Sequence, residues 1–374
     1  MDDIRVFWEG IGSGGYLLVA LSLLVLAYAC YVTYRAVVVS RGLDLSPLPE
    51  HGGGVSVIIT AHNRASDLRE NLVGFLTQDC EDYEVIVVDD CSEDDTTEVL
   101  SALQEEYPRL RCTRIYPGAK FRFTKKLAIN IGVLSARHEI LLFSEADCYP
   151  ASSSWARGML SRFGEETAVV IGFSNYRADG RPFAWRRLLR LSRFLDRLLV
   201  AARGGRPTGD GCNMAYRKSC YMRNRGFAGD TQSYLGYDND MVRELSKYGK
   251  VRVTGHRETH VLVGNGERAN DIPYHFAAKA TLPLATRARE ELWNGIRLLI
   301  YALSIYLIAS RVAPWSLLAL VLAVYMAEVI SVNLFAGRLL QRKLFLTSLI
   351  INVVGFAYRW YWCGYSIFNS KKWK

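Results

Sequence analysis

The sequence predicts an α/β fold, a parallel sheet with helices packed on it, flanked by transmembrane helices. Three observations lead there. Short apolar runs at 55–60, 85–88 and 140–143 each end in polar or acidic residues, with helix-forming stretches between them; strands alternating with helices in this way build a parallel sheet with right-handed crossovers. The segment 16–39 is apolar over about the length a bilayer-spanning helix requires. Three more apolar stretches follow at 296–310, 315–335 and 344–358. The expected organisation is a short extracytoplasmic tail at 1–15, a transmembrane helix at 16–39, a linker at 40–54, a globular domain at 55–290, and a membrane region of two or three helices at 295–368.

Bulk properties narrow the class. The chain has 374 residues, half of them hydrophobic, and a net charge of +9. No zinc-finger or RNP pattern accompanies that charge, so a membrane surface accounts for the arginines better than nucleic acid does. The cysteines at 30, 80, 91, 112, 148, 212, 220 and 363 form no Cys-x-x-Cys and no zinc-ligand spacing, which predicts free thiols in a reducing compartment. Asp2, Asp3 and Glu9 against a single Arg5 lack the basic region of a signal peptide. The first span is therefore expected to persist, and Arg35 and Arg41 after it put the amino terminus outside and the domain in the cytoplasm.

Pro47, Pro49 and the glycines at 52–54 mark the linker. A strand at 55–60 then runs through the turn Ala61, His62, Asn63, Arg64 into a helix at 66–76. The strand at 85–88 ends on Asp89 and Asp90, and residues 92–97 carry capping chemistry for a helix reaching about 107. A basic loop at 120–126 precedes a helix with Leu127, Ile131 and Leu134 on one face. The strand at 140–143 leads to Glu145 and Asp147. Side chains alternate along a strand, so these two acids are expected to point the same way at its carboxyl end, where ligand sites lie in open α/β sheets. Two such carboxylates suit a hard divalent cation, Mg²⁺ or Mn²⁺; an acid-x-acid triplet alone is also a common solvated turn. Three strands finishing in polar residues make the arrangement of a nucleotide site.

A helix at 152–163 and a strand at 168–173 follow. Residues 182–203 read as an amphipathic helix, with Leu188, Leu191, Leu195 and Leu198 opposite Arg186, Arg190, Arg193 and Arg197. Two readings stand: a helix lying in the headgroup plane, or a solvated charged face over a core stripe. Residues 251–253 form a short edge strand, and His256 and His260 either reach a metal or are structural. The first two carboxyl-terminal stretches form a helical pair returning to a basic loop with Arg338, Arg342 and Lys343. For the third, spanning would leave Lys371, Lys372 and Lys374 outside, while Arg359, Trp360, Tyr361 and Trp362 suit an interface anchor. Glu328 lies inside the second of these stretches, where a carboxylate is costly without a partner or a ligand.

The segments 55–63, 84–96, Lys126-Leu127-Ala128-Ile129-Asn130-Ile131-Gly132 and 141–147 resemble, in order and spacing, the successive signatures of membrane-anchored bacterial family 2 glycosyltransferases. The resemblance covers roughly 55–263 and implies the GT-A fold, with a Rossmann-like mixed sheet. It also implies that Ala61 and Asn63 lie against the nucleotide, that Asp90 with Asp89 behind it contacts uracil or ribose, and that Asp147 holds the diphosphate-bound metal. Lys126, Asn130 and Glu145 belong to the same nucleotide-sugar site; Glu145 stands where the family has Asp. The segment Gly209-Asp210-Gly211-Cys212-Asn213 resembles the junction of donor sugar and acceptor, with Asn213 offering hydrogen bonds. Residues 236–245 resemble the acidic motif that opens a helix, whose second residue is usually the catalytic base. That maps to Asp238, with Asp240 the runner-up and Tyr237 in place of the family's Glu; acids in a first turn also simply complement the helix dipole. Tyr274, His275 and Phe276 keep part of the family's juxtamembrane motif, and the Gln-x-x-Arg-Trp of processive synthases is absent.

The resemblance thus implies an inverting transferase moving a single sugar from a nucleotide-diphosphate sugar to a lipid-linked or glycan acceptor. The work would be done at the cytoplasmic face of a bacterial inner membrane, in cell-surface polysaccharide or glycolipid synthesis. Mg²⁺ or Mn²⁺, and Lys125, Lys126 or Arg217, would offset phosphate charge; membrane lipids are partners and nucleic acid is not. The alternatives are a non-catalytic nucleotide-sugar-binding or scaffold subunit and, with less support, a processive synthase.

Overall fold

The computed structural model describes residues 13–43, 48, 52–116, 125–177, 184–227, 236–264, 284–312, 314–341 and 343–369. The basic loop at 120–124 and the partial motif at 274–279 lie outside them. The chain divides into two compact units, Met1–Val38 with Leu282–Tyr361, and Val39–Thr281 with Trp362–Lys374.

The second unit is built on a seven-stranded sheet. Its strands are β1 (Val55–Ala61), β2 (Tyr83–Asp90), β3 (Leu110–Ile115), β4 (Ile140–Glu145), β6 (Thr167–Ile171), β8 (Met214–Arg217) and β9 (Lys250–Val253), in the order β3-β2-β1-β4-β8-β6-β9. β1 pairs in parallel with β2 and β4, and β2 with β3. β8 runs antiparallel between β4 and β6, which makes the sheet mixed. β2 and β4 are buried along their whole lengths, as strands covered on both faces must be. Val55, Val57 and Ile59 pack on one face with Leu68, Leu72 and Phe75 of α2 (Ala65–Leu76). Ile58 packs on the other with Ala128, Ile129 and Val133 of α4 (Lys125–Ser135). Each such fully buried aliphatic or aromatic side chain contributes about 1.5–3 kcal/mol. Gly132 lets α4 approach closely, since a Cβ there would lie 2.5 Å from Ile58 Cγ2.

Several elements escape the sequence patterns. β3 has Arg111 and Arg114 interleaved with apolar residues because it is an edge strand, where charges deter further pairing. β8 is four residues long, too short to leave a periodic signal. A second, three-stranded sheet joins β5 (Cys148–Pro150), β10 (Val261–Val263) and β7 (Ser174–Tyr176), each too short to leave a periodic signal. The expected helix at 152–163 is a single short turn pair, Trp155–Leu160.

The other unit holds α1 (Ser13–Gly42), α9 (Leu284–Ala309), α10 (Trp315–Arg338) and α11 (Phe345–Asn369). By length and composition Gly14–Gly42, Glu291–Ala309 and Trp315–Arg338 are apolar enough to cross a membrane. In α11 only Phe345–Gly355 qualifies as an apolar stretch. Leu21, Val25 and Val32 of α1 pack with Ile300 and Leu307 of α9 and Leu317 of α10. Glu328, isolated in the sequence, is buried at the meeting of three helices. The Tyr28 hydroxyl donates to its Oε2 at 2.9 Å, and Arg297 Nη1 to its Oε1 at 3.4 Å. Arg35 Nη1 lies 3.9 Å from the same oxygen. The stacked rings of Tyr31 and Trp293, 4.0 Å apart, lie next to this cluster.

Candidate active site

β2, β1 and β4 are neighbours, and their registers bring Ala61 opposite Asp89 and Thr60 opposite Glu145. The polar ends of the three strands therefore share one edge of the sheet. β8 starts at that edge, with Met214 opposite Phe143, and ends at the other, with Arg217 opposite Ile140. Arg217 spends its guanidinium on the carbonyls of Thr167 and Gly164, at 2.9 and 2.8 Å, and is removed from the strand ends where phosphate help was expected of it.

At the end of β2 the two aspartates do different work. Asp89 accepts from Ser92 N at 3.1 Å and Thr97 Oγ1 at 2.9 Å, with Arg114 Nε 3.6 Å away, so it holds the loop. Asp90 is equally buried, yet its Oδ1 has no hydrogen-bond partner among the described residues. Burial, and secondarily Asp89, raise its carboxyl above the usual range, while His62 opposes the rise. A buried acceptor left open is costly unless something else fills it. The backbone here is also strained: Asn63 and Cys91 have φ of 54° and 59°, a region L-residues visit rarely and mostly where geometry is imposed. Asn63 ties the loops together, its N–H donating to Ser92 Oγ at 2.9 Å and its Oδ1 accepting from Glu93 N at 2.8 Å. Within the segment expected to cap its own helix, Asp94 serves two helices, its Oδ1 accepting from Thr96 N at 3.1 Å and its Oδ2 from Ala65 N at 3.2 Å.

β4 stops at Glu145, and Ala146 and Asp147 form a turn into β5. Strand alternation does not extend to Asp147; the turn sets its direction. Both acids are buried. Glu145 Oε1 accepts from the Tyr237 hydroxyl at 2.8 Å and is ion-paired with Lys125 Nζ, which also lies 5.0 Å from the Tyr237 ring centre. Gly211 makes room for this: a Cβ there would come within 2.0 Å of the Tyr237 hydroxyl. Asp147 is a hard oxygen donor suited to Mg²⁺ or Mn²⁺, which bind through one or two carboxylates and complete their shells with water and phosphate oxygens. No cluster of three or more His, Cys, Asp or Glu side chains able to hold a metal occurs among the described residues, so phosphate would have to supply part of the shell. His260 is not available for that purpose. It is buried against Phe173 and its Nε2 lies 3.0 Å from Gly255 O, and burial lowers its pKa to about 4. His256 Nδ1 accepts from Glu258 N at 3.4 Å at the start of a 3-10 turn.

The acidic helix α8 (Tyr237–Leu245) starts beside Glu145 through Tyr237. Asp238 is half-buried, and its carboxyl is raised chiefly by burial, with Arg197 opposing. Asp240 differs: it lies 2.8 Å from Arg243 and 3.8 Å from Lys126 Nζ, and serves as counter-charge to both. Lys126 is almost wholly buried, 1% exposed, over the ring of Phe227. Asn130 accepts from the Tyr221 hydroxyl and holds the turn at Gly226. Asn213 is fully buried. It donates to Phe173 O and Thr259 O at 2.8 and 2.7 Å and accepts from Trp155 Nε1 at 3.1 Å, so its amide staples three segments and both of its N–H groups are committed.

The arginine ladder of α6 (Ala184–Ala202) corrects both readings of that helix. Arg190 and Arg197 turn inward to Asp210. Arg197 Nη1 donates to Asp210 Oδ2 at 2.7 Å and its Nη2 to Gly209 O at 2.5 Å; Arg190 Nη2 lies 3.8 Å from Asp210 Oδ1. These charges hold Asp210 below the usual carboxylate range despite its burial. Gly209 N in turn donates to Asn239 Oδ1 at 2.9 Å. The helix thereby fixes the loop against which Asp238 rests. A lone Asp between two glycines, downstream of four arginines at helical spacing, is the signal that would have found this anchor.

Comparison with known proteins finds likenesses in sequence and in fold. Residues 56–224 match the sequence model described as Glycosyl transferase family 2. The chain is 35% identical over 118 residues to the uncharacterized glycosyltransferase YfnE of Bacillus subtilis (strain 168), and 31% identical over 124 residues to the uncharacterized glycosyltransferase alr2836 of Nostoc sp. (strain PCC 7120). These stretches cover 31% and 33% of this chain, and 29% and 36% of the relatives. The fold is similar to that of the mannosyltransferase PcManGT from Pyrobaculum calidifontis, solved with GDP-Man and Mn²⁺, with a TM-score of 0.55 and 18% identity over 90% of this chain and 98% of that one.

Proposed function

We propose that the chain is an inverting, membrane-anchored transferase of glycosyltransferase family 2, a reading supported by the match of residues 56–224 to that family's model and by the GT-A-like fold. It moves one sugar from a nucleotide-diphosphate donor to an acceptor hydroxyl on a lipid-linked or other glycan. The observation that carries this reading is Asp90 Oδ1, a buried acceptor with no partner among the described residues, at the sheet edge that also ends in Glu145. A nucleoside's N–H or ribose hydroxyl is the kind of donor that would fill it.

The chain's own groups divide the work. Asp90 receives the nucleoside, and Asn63 and Asp89 hold the loop that presents it. Asp238 is the general base for the acceptor hydroxyl. Its raised pKa brings it closer to the operating pH, which favours proton transfer. Asp147 is the residue that would hold a divalent ion, whose contribution is to neutralise the departing diphosphate. The apolar helices support a membrane setting, and Arg41, Arg338 and Lys343 favour a cytoplasmic domain.

The test is Asp238→Asn. The variant is expected to lose at least about a hundredfold in transfer, in keeping with the worth of a positioned base, while nucleotide binding measured by calorimetry stays at the wild-type level. Full activity would overturn the assignment of the base. Asp240→Asn is expected instead to lower stability, through Lys126 and Arg243.

A further inference from the structure

We propose that Arg197 is a positioning residue for the base, acting on Asp238 through the backbone of Gly209. The inference rests on the assignment of Asp238 above. Asp238 sits in the first turn of α8, and that turn is not fixed by a cap of its own: Gly236 before it has a φ of 73° and offers no side-chain hydrogen bond. Two ties from outside hold the turn instead. The Tyr237 hydroxyl reaches Glu145, and Asn239 Oδ1 accepts from Gly209 N at 2.9 Å.

Gly209 is the surface on which the base rests. A Cβ there would lie 2.5 Å from Asp238 O and 2.8 Å from Asp238 Cβ, so the two backbones meet with nothing between them, an approach that only glycine allows. A shift of Gly209 is therefore transmitted to Asp238. What fixes Gly209 is one guanidinium. Arg197 spends its donors on three consecutive residues, Nε on Thr208 Oγ1 at 3.2 Å, Nη2 on Gly209 O at 2.5 Å and Nη1 on Asp210 Oδ2 at 2.7 Å. The Arg197 and Asp210 side chains are only 10% and 8% exposed. Asp210 is held from its other side as well: its Oδ2 accepts from Ser174 Oγ at 2.8 Å, and Ser174 Oγ accepts from Arg190 Nη2 at 2.8 Å. A planar fork can grip three neighbouring residues at once, whereas the ammonium of a lysine is a single point of charge. The charged groups that act on Asp238 belong to this same clamp. Arg197 of α6 favours its carboxylate and Asp210 of the loop opposes it.

The experiment compares Arg197→Lys, Asp210→Asn and, as the control for the base, Asp238→Asn with wild type, all as the full chain in detergent. Turnover is followed as release of UDP or GDP from UDP-glucose, UDP-galactose, UDP-N-acetylglucosamine and GDP-mannose in Mn²⁺. Calorimetry with UDP and GDP counts the nucleotide sites that remain folded. Arg197→Lys is expected to lower kcat at least about tenfold, since displacing a catalytic group by about 1 Å can cost about a hundredfold, while the number and affinity of nucleotide sites stay at the wild-type level. Asp210→Asn removes a negative charge that opposes the Asp238 carboxylate, so the acid limb of kcat/KM should move about half a pH unit lower. Loss of folded protein would lower that profile without moving it. Wild-type kcat in Arg197→Lys would overturn the positioning role. So would a loss of nucleotide sites equal to the loss of activity, or an unmoved acid limb in Asp210→Asn. With Asp238→Asn inactive, each of these outcomes leaves the base assignment standing. An active Asp238→Asn would overturn the base and this inference with it, and a wild type that turns over none of the four donors would overturn the transferase reading beneath both.

Discussion

Single residues at the sheet edge are distinguished by what already occupies them. Asp89 and Asp90 are adjacent and both buried, yet one is filled by Ser92, Thr97 and Arg114 while the other keeps an open oxygen. Asp238 and Asp240 also differ, Asp238 Oδ1 accepting from Asn239 N at 2.9 Å while Asp240 is committed to Lys126 and Arg243. His260 carries a prediction of its own. Its folded pKa of about 4 lies below the unfolded value near 6.5, so the unfolded chain binds the extra proton first. Stability is complete above about pH 6.5 and falls as pH drops towards about 4, by roughly 3 kcal/mol. Thermal unfolding midpoints of wild type should decline across that window, and His260→Phe, though weaker at neutral pH, should show a flatter profile.

Among the elements, α6 is the one whose role changes most between sequence and structure. Its leucine stripe packs as expected, with Leu188, Leu191, Leu195 and Leu198 all buried. Its arginines do not form a uniform outer face, because Asp210 supplies an internal counter-charge for two of them. Removing one partner of such a buried pair leaves an uncompensated charge, so Arg197→Met is expected to cost about 3–5 kcal/mol. Adding Asp210→Asn should recover part of that loss, and a double-mutant cycle on thermal unfolding measures the coupling. Additivity of the two changes would show the pair to be energetically idle.

At the scale of the whole molecule, the chain joins an α/β unit to a unit of long apolar helices, and each has its own buried polar centre. In the helical unit that centre is Glu328, with Tyr28, Arg297 and Arg35. Arg35, which reads in the sequence as a flanking charge of the first span, belongs to this cluster. Glu328→Ala deprives two half-buried guanidiniums of this buried carboxylate and is expected to cost about 3 kcal/mol, whereas Tyr28→Phe should cost only about 1 kcal/mol. Melting the variants in detergent checks the ranking. Equal midpoints for Glu328→Ala and wild type would mean that the cluster does not hold the helices together.

The sequence by itself determined the α/β class, the three acid-tipped strands in their order, the apolar helices at both ends, and Asp90, Asp147 and Asp238 as the residues to watch. The class, the strands and the apolar helices follow from local periodicity and spacing along the chain, which survive without knowledge of the partners, whereas Asp90 and Asp238 are singled out by the resemblance to a family's signatures. Tertiary structure alone decided the rest. β3, β8 and the three-residue strands exist because neighbours pair with them, and Asn130, Lys126 and Asn213 prove to be internal ties because distant groups fill their hydrogen bonds. The same holds for Lys125, Glu145 and Tyr237. They lie far apart in sequence, and only the meeting of α4, β4 and α8 at one sheet edge turns three separate oddities into a single charged site.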